Sequence, residues 1–255
     1  MKHMRQPWII LFGGAGREGV IERLHSEGID IRLIVSPSNQ TSKLKNSVAR
    51  LHNLKIPICI ISRDELADVL SPRQDCHLLS VGFPYIIPKS IYSQHQLALN
   101  IHPTLLPKYR GPTTGAYILL NNETESGSTV HFLEEEADKG DIITQSFIAL
   151  TPFDTLRSLQ RKVYALEPEL IMDALRKLDL GYLPVPQEES NSSNYPKKRT
   201  PKDSEIDPSK PLIDIVNVIR ACDPEDFPAF FYYHGEKVFV KLWRENKPAD
   251  ELDLL

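Results

Sequence analysis

The sequence predicts an α/β protein whose mostly parallel, twisted sheet is covered by helices on both faces. Two observations lead to this prediction. Short, continuously apolar runs, which are typical of strands buried on both faces, alternate with segments whose apolar residues recur at helical spacing. The first run, residues 8–12, leads directly into Gly13, Gly14 and Gly16, a glycine-rich turn from a strand into a helix. Such alternation places parallel strands side by side, with helices above and below them.

The elements of this main unit follow one another at short intervals. Strands are predicted at the apolar runs, which cover residues 8–12, 29–35, 56–61 and 77–83. Helices are predicted between them, over residues 18–27, 43–54 and 63–70. A long helix comes later in the chain. We expect it to begin with Asp154 as its N-cap and to end before Gly181, with a kink or a break at Pro168.

The chain divides into three consecutive parts. Residues 1–183 would form the main domain, since 255 residues suit one large core with a small appendage. Residues 184–211 are rich in Pro, Ser, Asn and charge, so we expect a linker or a laid-down loop. Residues 212–255 would form a small unit of one helix and a β-hairpin, which turns at His234 and Gly235.

Composition argues against several classes of protein. The net charge of −4 gives no reason to expect a nucleic-acid partner. The apolar run before Gly13 is too short for a signal-peptide core or a membrane span, so we expect a cytoplasmic protein without a membrane partner. Three scattered cysteines, Cys59, Cys76 and Cys222, lack CxxC spacing and predict neither a disulfide framework nor a metal site.

The sharpest local signal is a strand-like alternation that proline stops at residue 103. With a period of two, Leu99 and Ile101 share one face, while Asn100 and His102 share the other. Ligands of open α/β sheets bind beyond the carboxyl ends of the strands. There an amide N–H can stabilise an oxyanion, and an imidazole can accept a proton from an attacking amine. The alternative is that His102 is an ordinary hydrogen-bonded residue at the end of a strand, and the local pattern does not decide between the two.

An acidic loop, residues 134–141, follows another predicted strand at residues 127–133. Most of its acids are best explained as solvated surface charge. Asp138 differs because it lies in an Asp-Lys-Gly turn directly before an apolar pair, and Asp141 is the competing acid.

Taken together, these stretches resemble the folate-dependent formyltransferase family. The family's Asn-x-His, Leu-Leu-Pro-x-Tyr-Arg-Gly and Asp-x-Gly motifs occur in order at residues 100–102, 105–111 and 138–140. The resemblance extends from the first strand to about Ile143, and it implies a Rossmann-like catalytic domain. It also places Asp138 in the catalytic position, which leaves Asp141 as a turn or capping residue.

The resemblance implies a chemistry and a role for each catalytic residue. A substrate amine would attack the formyl carbon of N10-formyltetrahydrofolate directly, through a tetrahedral intermediate and without a metal. Asn100 would stabilise the oxyanion, and His102 would handle the amine proton or share in that stabilisation. Asp138 would orient His102 and help to move protons. The identity of the formal base stays open.

The resemblance further implies contacts to the folate. Residues 82–87 are similar to the family segment whose backbone lines the pterin pocket, so Tyr85 and Ile87 are candidate main-chain partners. Phe83 belongs to the same segment, although a core position would explain it equally well. Leu133 and Glu134, with Asp138, complete the predicted folate set.

The glycine-rich turn raises a dinucleotide-binding alternative, because residues 14–19 form a formal GxGxxG. That fingerprint expects an acidic residue about 20 positions later to bind the ribose, and residues 35–39 offer none. A turn facing the substrate explains the motif as well, and we therefore place Gly13 and Gly14 in the substrate site.

The last part of the chain favours one acceptor class. From Gly181 onward it has ten Lys/Arg against fourteen Asp/Glu, which disfavours tRNA. Sugar N-formyltransferases are similar in length and share the Arg-Thr-Pro-Lys-Asp-like stretch seen at residues 199–203. We therefore expect a nucleotide-linked amino sugar, commonly a 4-amino-4,6-dideoxy sugar for surface glycan synthesis. Its diphosphate and base need cations and a flat surface, which Lys197, Lys198 and Arg199, with Tyr195 nearby, could supply from one loop. Tyr109 and Arg110 are also predicted to contact the substrate.

Other readings remain open at this point. The acceptor could be methionyl-tRNA or glycinamide ribonucleotide, or the enzyme could be a formyltetrahydrofolate hydrolase. A homodimer is also open, because the aromatic residues of the hairpin would serve packing or a dimer surface. The sugar, the nucleotide and the position of the amine are not determined by the sequence.

Overall fold

The computed structural model describes residue 3 and residues 5–247 and confirms the predicted α/β class. Within this part of the chain, one seven-stranded sheet has the order β3-β2-β1-β4-β5-β6-β7. Its strands are β1 (Trp8–Phe12), β2 (Ile31–Pro37), β3 (Ile58–Ile61), β4 (His77–Val81), β5 (Ala98–His102), β6 (Glu125–Phe132) and β7 (Ile142–Ala149). The pairs from β3 to β5 are parallel, and β6 and β7 are antiparallel additions at one edge.

Helices cover both faces of the sheet. They are α1 (Glu18–Ser26), α2 (Ser42–Leu51), α3 (Leu66–Leu70), α4 (Lys89–Tyr92), α5 (Thr114–Leu120), α6 (Leu156–Asp179) and α7 (Leu212–Arg220). One apolar cluster joins α1, α2 and α6 to one face, and a second joins α3 and α4 to the other. The alternation of β1 explains the two layers, since Ile10 and Phe12 pack in the first cluster while Ile9 and Leu11 pack in the second.

The strand order creates a crevice between β1 and β4, where the connections leave in opposite directions along the sheet. The loops that follow these two strands meet there. Gly13 and Gly14 both donate their amides to the carbonyl of Val81 at 3.1 and 3.0 Å. A Cβ on Gly13 would lie 2.6 Å from the carbonyl oxygen of Gly82, so the two loops approach as closely as only glycine allows.

The long helix α6 differs from its prediction at two points. Its N-cap is Thr155 rather than Asp154, because Thr155 and Ser158 form a reciprocal capping box. Asp154 is instead fully buried and binds Lys162 and the amide of Thr151. The helix also continues through Pro168, so the break that was expected there as an alternative to a kink does not occur. Glu167, directly before this proline, and Leu170, two residues after it, are buried, and their tertiary contacts outweigh its local cost.

Residues 184–211 run along the main domain and pair with it through single backbone bridges. Val185 bridges to Ile142, and Asn194 bridges to Arg110. Beyond α7, the hairpin consists of β8 (Ala229–Tyr233) and β9 (Glu236–Val240), and Arg220 ties this unit to the carbonyl of Asp154 at 2.7 Å. Residues 248–255 of the predicted small unit lie outside the described residues. Across the described part of the chain, none of the helices combines the length and apolarity that crossing a bilayer requires.

The capping box of α6 gives a stability prediction. Thr155→Ala removes the side-chain acceptor of the Ser158 amide, so we expect the free energy of unfolding to fall by about 1 kcal/mol. Thr155→Ser keeps the hydroxyl and should stay near the wild-type value. Urea unfolding of the three proteins measures the difference, and equal stability of Thr155→Ala and the wild type would contradict the capping role.

Candidate active site

Asn100 and His102 lie side by side on the outer half of β5, between β4 and β6. Leu99 and Ile101 point into the apolar cluster on the opposite face, as the alternation predicts. His102 is buried and Asn100 is half-buried. The pair therefore stands on one sheet face beside the crevice between β1 and β4.

Asp138 reaches these two side chains from the loop after β6. Its Oδ1 lies 3.4 Å from Asn100 Nδ2 and 3.4 Å from His102 Nδ1. Its Oδ2 accepts the amide of Gly111 at 2.9 Å. Asp141, by contrast, is exposed, and its backbone carbonyl serves the strand ladder by accepting the amide of Phe132. The structure thus brings together the three residues predicted to be catalytic and leaves Asp141 outside.

His102 is held in one orientation by the loop that carries Tyr109. Its Nε2 lies 2.8 Å from the carbonyl oxygen of Tyr109, and since a carbonyl can only accept, Nε2 carries the hydrogen. In the neutral ring the lone pair is therefore on Nδ1, which faces Asp138. A proton taken up at Nδ1 would form an imidazolium directly beside a carboxylate.

His131 is a member of this group that the sequence reasoning missed. It lies opposite Asn100 in the β5–β6 ladder, and its Nε2 is 3.1 Å from Asn100 Nδ2 and 3.7 Å from Asp138 Oδ1. Nδ1 donates to the carbonyl of Phe132 at 2.7 Å, which leaves Nε2 as an acceptor for the amide of Asn100. Burial lowers the pKa of His131 to about 4, so the ring is neutral near pH 7. A polar residue between two apolar ones was the only sequence signal.

A buried ion pair supports the end of β5 from below. Arg17 donates to Glu167 at 2.6 and 2.7 Å and to the carbonyl of Ile101 at 2.9 Å. Ser128 on β6 donates to the carbonyl of His102 at 2.9 Å and lies 3.1 Å from Glu167. Burial raises the pKa of the Glu167 carboxyl, while the charge of Arg17 opposes that shift. None of these three side chains was singled out from the sequence.

The glycine-rich turn is already saturated by internal contacts. Gly13 and Gly14 donate their amides to the carbonyl of Val81, and the amide of Gly16 donates to the Glu18 carboxylate at 3.2 Å. A dinucleotide would need these amides for its pyrophosphate, and the carboxylate of Glu18 would repel it. The turn therefore disfavours the dinucleotide-binding alternative.

Three of the residues predicted to contact the folate pack on the sheet face to which Ala98 of β5 contributes. Ile87 is buried in the apolar cluster of that face, and Phe83 and Leu133 pack against it. Tyr85 is half-buried, and its hydroxyl donates to Asn39 at 3.3 Å. Glu134 is exposed. A cavity of about 290 Å³ adjoins this region, and its lining includes Tyr92, His95, Ala98, Leu133 and Glu134.

The residues predicted to contact the substrate fall into different environments. Tyr109 is buried, and Tyr195 stacks against it and against Tyr117 at centroid distances of 5.3 and 4.2 Å. Arg110 is only 2% exposed, and its guanidinium binds Gln187 and Glu189. It is not free to contact a ligand in this arrangement. Lys198 is exposed and, among the described residues, has neither a hydrogen bond nor an ion pair.

Across the described residues there is no group of three or more His, Cys, Asp or Glu side chains placed to hold an ion.

Comparison with known proteins gives consistent similarities. Residues 18–175 match the family model described as formyl transferase. The methionyl-tRNA formyltransferase of Borreliella burgdorferi (strain ZS7) is 26% identical over 231 residues, which cover 85% of this chain and 73% of that protein.

Solved structures of similar fold include two bacterial N-formyltransferases. A sugar N-formyltransferase from Shewanella sp FDAARGOS_354 superposes with a TM-score of 0.76 at 19% identity, covering 96% of this chain and 100% of that one. The N-formyltransferase from Helicobacter canadensis, in complex with folinic acid and dTDP-3-aminofucose, has a TM-score of 0.72 at 20% identity, covering 92% and 86%. At these identities the likeness establishes the fold.

The neutral state of buried His131 predicts a pH dependence of stability. Its folded pKa of about 4 lies below the ordinary 6.5, so the stabilisation is complete above pH 6.5 and is lost as the pH falls towards 4. One proton bound only by the unfolded state gives a slope of about 1.4 kcal/mol per pH unit. We expect His131→Gln to lack this slope between pH 6.5 and 4.

Urea unfolding at several pH values measures this slope. His25→Gln is the matched control, because His25 is exposed on α1 and should leave the wild-type slope unchanged. An identical pH dependence in His131→Gln and the wild type would show that His131 is protonated in the folded protein like an exposed histidine.

Proposed function

The chain belongs to the formyl transferase family, and from this we propose that it transfers the formyl group of N10-formyltetrahydrofolate to the amine of a nucleotide-linked amino sugar. The observation that supports the catalytic step best is the convergence of Asn100, His102 and His131 on Asp138 Oδ1, within 3.4 to 3.7 Å. An amide donor and a basic imidazole nitrogen thus lie next to the same carboxylate oxygen. Such groups can stabilise an oxyanion and move a proton, and formyl transfer to an amine involves both.

The transfer moves one proton as well as one formyl group. The amine nitrogen forms a bond to the formyl carbon, the bond from that carbon to N10 breaks, and the proton lost by the amine is needed on N10. Asn100 donates its N–H to the formyl oxygen as that oxygen gains negative charge. The 3.4 Å contact from Asn100 to Asp138 is the longer of its two, so that hydrogen is the one an incoming oxygen can take.

His102 and Asp138 carry the proton between the two nitrogens. The lone pair of His102 Nδ1 accepts it, and the carboxylate of Asp138 offsets the positive charge of the ring. The hydrogen bond from Nε2 to Tyr109 keeps Nδ1 directed at the site throughout. The same pair can then return the proton to N10, so no net charge is left on the protein.

The folate donor fits the environment on the Ala98 face of β5. A pterin is flat and has a hydrogen-bonding edge, and this region combines the apolar side chains of Ile87, Phe83 and Leu133 with the carboxylate of Glu134. We assign Tyr85 and Asp138 to the same donor site. The Helicobacter canadensis structure, solved with folinic acid, supports a folate in a protein of this fold.

A nucleotide-linked sugar is the preferred acceptor. Support comes from the dTDP-3-aminofucose in the Helicobacter canadensis complex and from WlaRD, a sugar 3N-formyl transferase solved with dTDP, whose fold matches with a TM-score of 0.65 at 23% identity. Arg110 is engaged internally, so the cations for the diphosphate come from the loop of residues 197–199, which includes Lys198, and Tyr195 stays the candidate for the base. The cytoplasmic location, the homodimer and a role in surface glycan synthesis stay predictions.

Methionyl-tRNA is the second candidate acceptor, because the Borreliella burgdorferi relative carries that name. The charge of the last part of the chain opposes it. Ten Lys/Arg against fourteen Asp/Glu from residue 181 onward give a net charge of −4, and a phosphate backbone is bound through cations.

The catalytic assignment predicts large losses of activity. Asn100→Ala and His102→Ala should each lower kcat by roughly 100-fold or more, because they remove the oxyanion donor and the proton acceptor. Asp138→Asn should do the same by leaving the imidazolium without its carboxylate. Release of tetrahydrofolate and formation of the amide, with 3-amino and 4-amino nucleotide sugars in parallel, measure the rate.

Glu135→Gln is the control for these variants, since Glu135 is an exposed acid of the same loop. Its kcat should stay within about twofold of the wild type. Undiminished transfer by correctly folded Asn100→Ala and His102→Ala would overturn the catalytic assignment.

The nucleotide preference can be measured without turnover. A ligand present at 100 times its Kd stabilises the folded protein by about 2.7 kcal/mol, so thermal shifts with dTDP and UDP rank the two nucleotides. We expect a shift with at least one of them and a smaller shift in Lys198→Ala, with Lys210→Ala as the matched exposed control. A protein that responds to tRNA but to neither nucleotide would favour the second acceptor.

A further inference from the structure

The carboxamide of Gln187 joins the buried guanidinium of Arg110 to the loop that carries Asp138. Its Oε1 accepts two hydrogen bonds from Arg110, at 3.1 Å from Nε and 2.8 Å from Nη2. Its Nε2 donates two, to the carbonyls of Asp138 at 2.9 Å and Gly140 at 2.7 Å. Both hydrogens and both lone pairs of the side chain are therefore engaged.

Arg110 fixes which way this carboxamide faces. A guanidinium has only donors, so it can bind the oxygen of Gln187 and never the nitrogen. The NH2 group must then face the loop. Arg110 itself is held from its other side by Glu189, at 2.9 and 3.0 Å from Nη1.

Asp138 is hydrogen-bonded at both its main chain and its side chain. Asp138 has a positive φ of 60°, an unfavourable conformation for a residue with a Cβ, and Gln187 binds its carbonyl in that conformation. The carboxylate Oδ2 is bound by the amide of Gly111, the residue directly after Arg110. Both of these hydrogen bonds therefore depend on the position of Arg110.

The segment that contains Gln187 is fastened to the two loops that it joins. Val185 exchanges both backbone hydrogen bonds with Ile142, just after the Asp138 loop, at 2.8 Å each. Farther along, Ser193 accepts the amide of Arg110 at 2.9 Å, and Tyr195 donates to the carbonyl of Arg110 at 2.8 Å. This short stretch thus connects the Arg110 loop to the Asp138 loop, although the two loops are far apart in sequence.

We propose that Arg110 and Gln187 are positioning residues that hold Asp138 Oδ1 among Asn100, His102 and His131, and that Arg110 does not bind the diphosphate of the acceptor. The proposal rests on the catalytic role proposed for Asp138. Its physical basis is that proton transfer depends on distance, so that a displacement of about 1 Å can lower the rate roughly 100-fold.

Gln187→Glu tests the positioning role with almost no change of shape. The introduced carboxylate still binds Arg110 but replaces the N–H donors by oxygen, which repels the carbonyls of Asp138 and Gly140. We expect kcat to fall roughly 10- to 100-fold, while KM for the nucleotide sugar stays within about threefold. Glu188→Gln, in the exposed neighbouring position, is the matched control and should behave like the wild type.

The pH dependence separates positioning from a general loss of structure. When protonated, the introduced carboxyl regains one O–H donor, so the ratio of variant to wild-type kcat should rise as the pH is lowered. A variant that is merely destabilised has no reason to recover in acid. Gln187→Met, which removes the donors without adding charge, should lose kcat equally at every pH, and it replaces Gln187→Glu if that variant does not fold.

Two further measurements decide the remaining outcomes. Arg110→Lys cannot reproduce the two-pronged contact and should lower kcat, and a selective rise in KM for the nucleotide sugar would instead show that Arg110 contacts the diphosphate and overturn the proposal. NMR of the His102 and His131 rings reports the position of Asp138 without turnover. Unchanged ring signals in Gln187→Glu would refute the positioning role, whether or not the wild type is active. Failure of the wild type to formylate any of the amines tested would contradict only the proposed function.

Discussion

The ion pair between Arg17 and Glu167 is the interaction on which the candidate active site depends. It lies fully inside the protein and links the turn after β1 to the long helix α6. Through Arg17 and Ser128 it also binds the carbonyls of Ile101 and His102, which the end of β5 presents. Removing one partner of such a pair costs about 3 to 5 kcal/mol, because the other charge stays buried without compensation. The position of the strand that carries Asn100 and His102 is therefore set by charge as well as by packing.

The residues of the site come from two kinds of structure, strands and a loop. β5 and β6 supply Asn100, His102 and His131 from rigid strands, so their relative positions follow from the sheet register. Asp138 comes from a loop and has a positive φ, so its position must be held by neighbouring groups, here Gly111 and Gln187. This division explains why a segment outside the sheet is packed against the site. The sheet fixes the positions of Asn100, His102 and His131, and the loop, held by hydrogen bonds, adds the carboxylate of Asp138.

The sequence could predict those features whose cause is local. A period of two placed Asn100 and His102 on one face, and the glycines after β1 marked the turn at the crevice. The contacts of His131 and Gln187 depend on an antiparallel register and on a segment 49 residues from Asp138, and no local spacing contains that information. Arg110 illustrates the same limit. It was predicted to contact the substrate, whereas burial against Gln187 and Glu189 gives it internal partners.

In the proposed mechanism, the hydrogen-bonding pattern of the site favours His102 as the residue that takes up the proton. Asp138 Oδ1 faces Asn100, His102 and His131, and the amide of Asn100 cannot take up a proton near neutral pH. Burial keeps His131 neutral, and its Nε2 is directed at Asn100. His102 is then the neighbour whose free lone pair can accept the amine proton beside the carboxylate. A second protonated ring at His131 would divide the charge of Asp138 between two cations and withdraw the acceptor that orients Asn100. The neutrality of His131 thus keeps Asn100 and His102 in the states that their proposed roles as oxyanion donor and proton acceptor require.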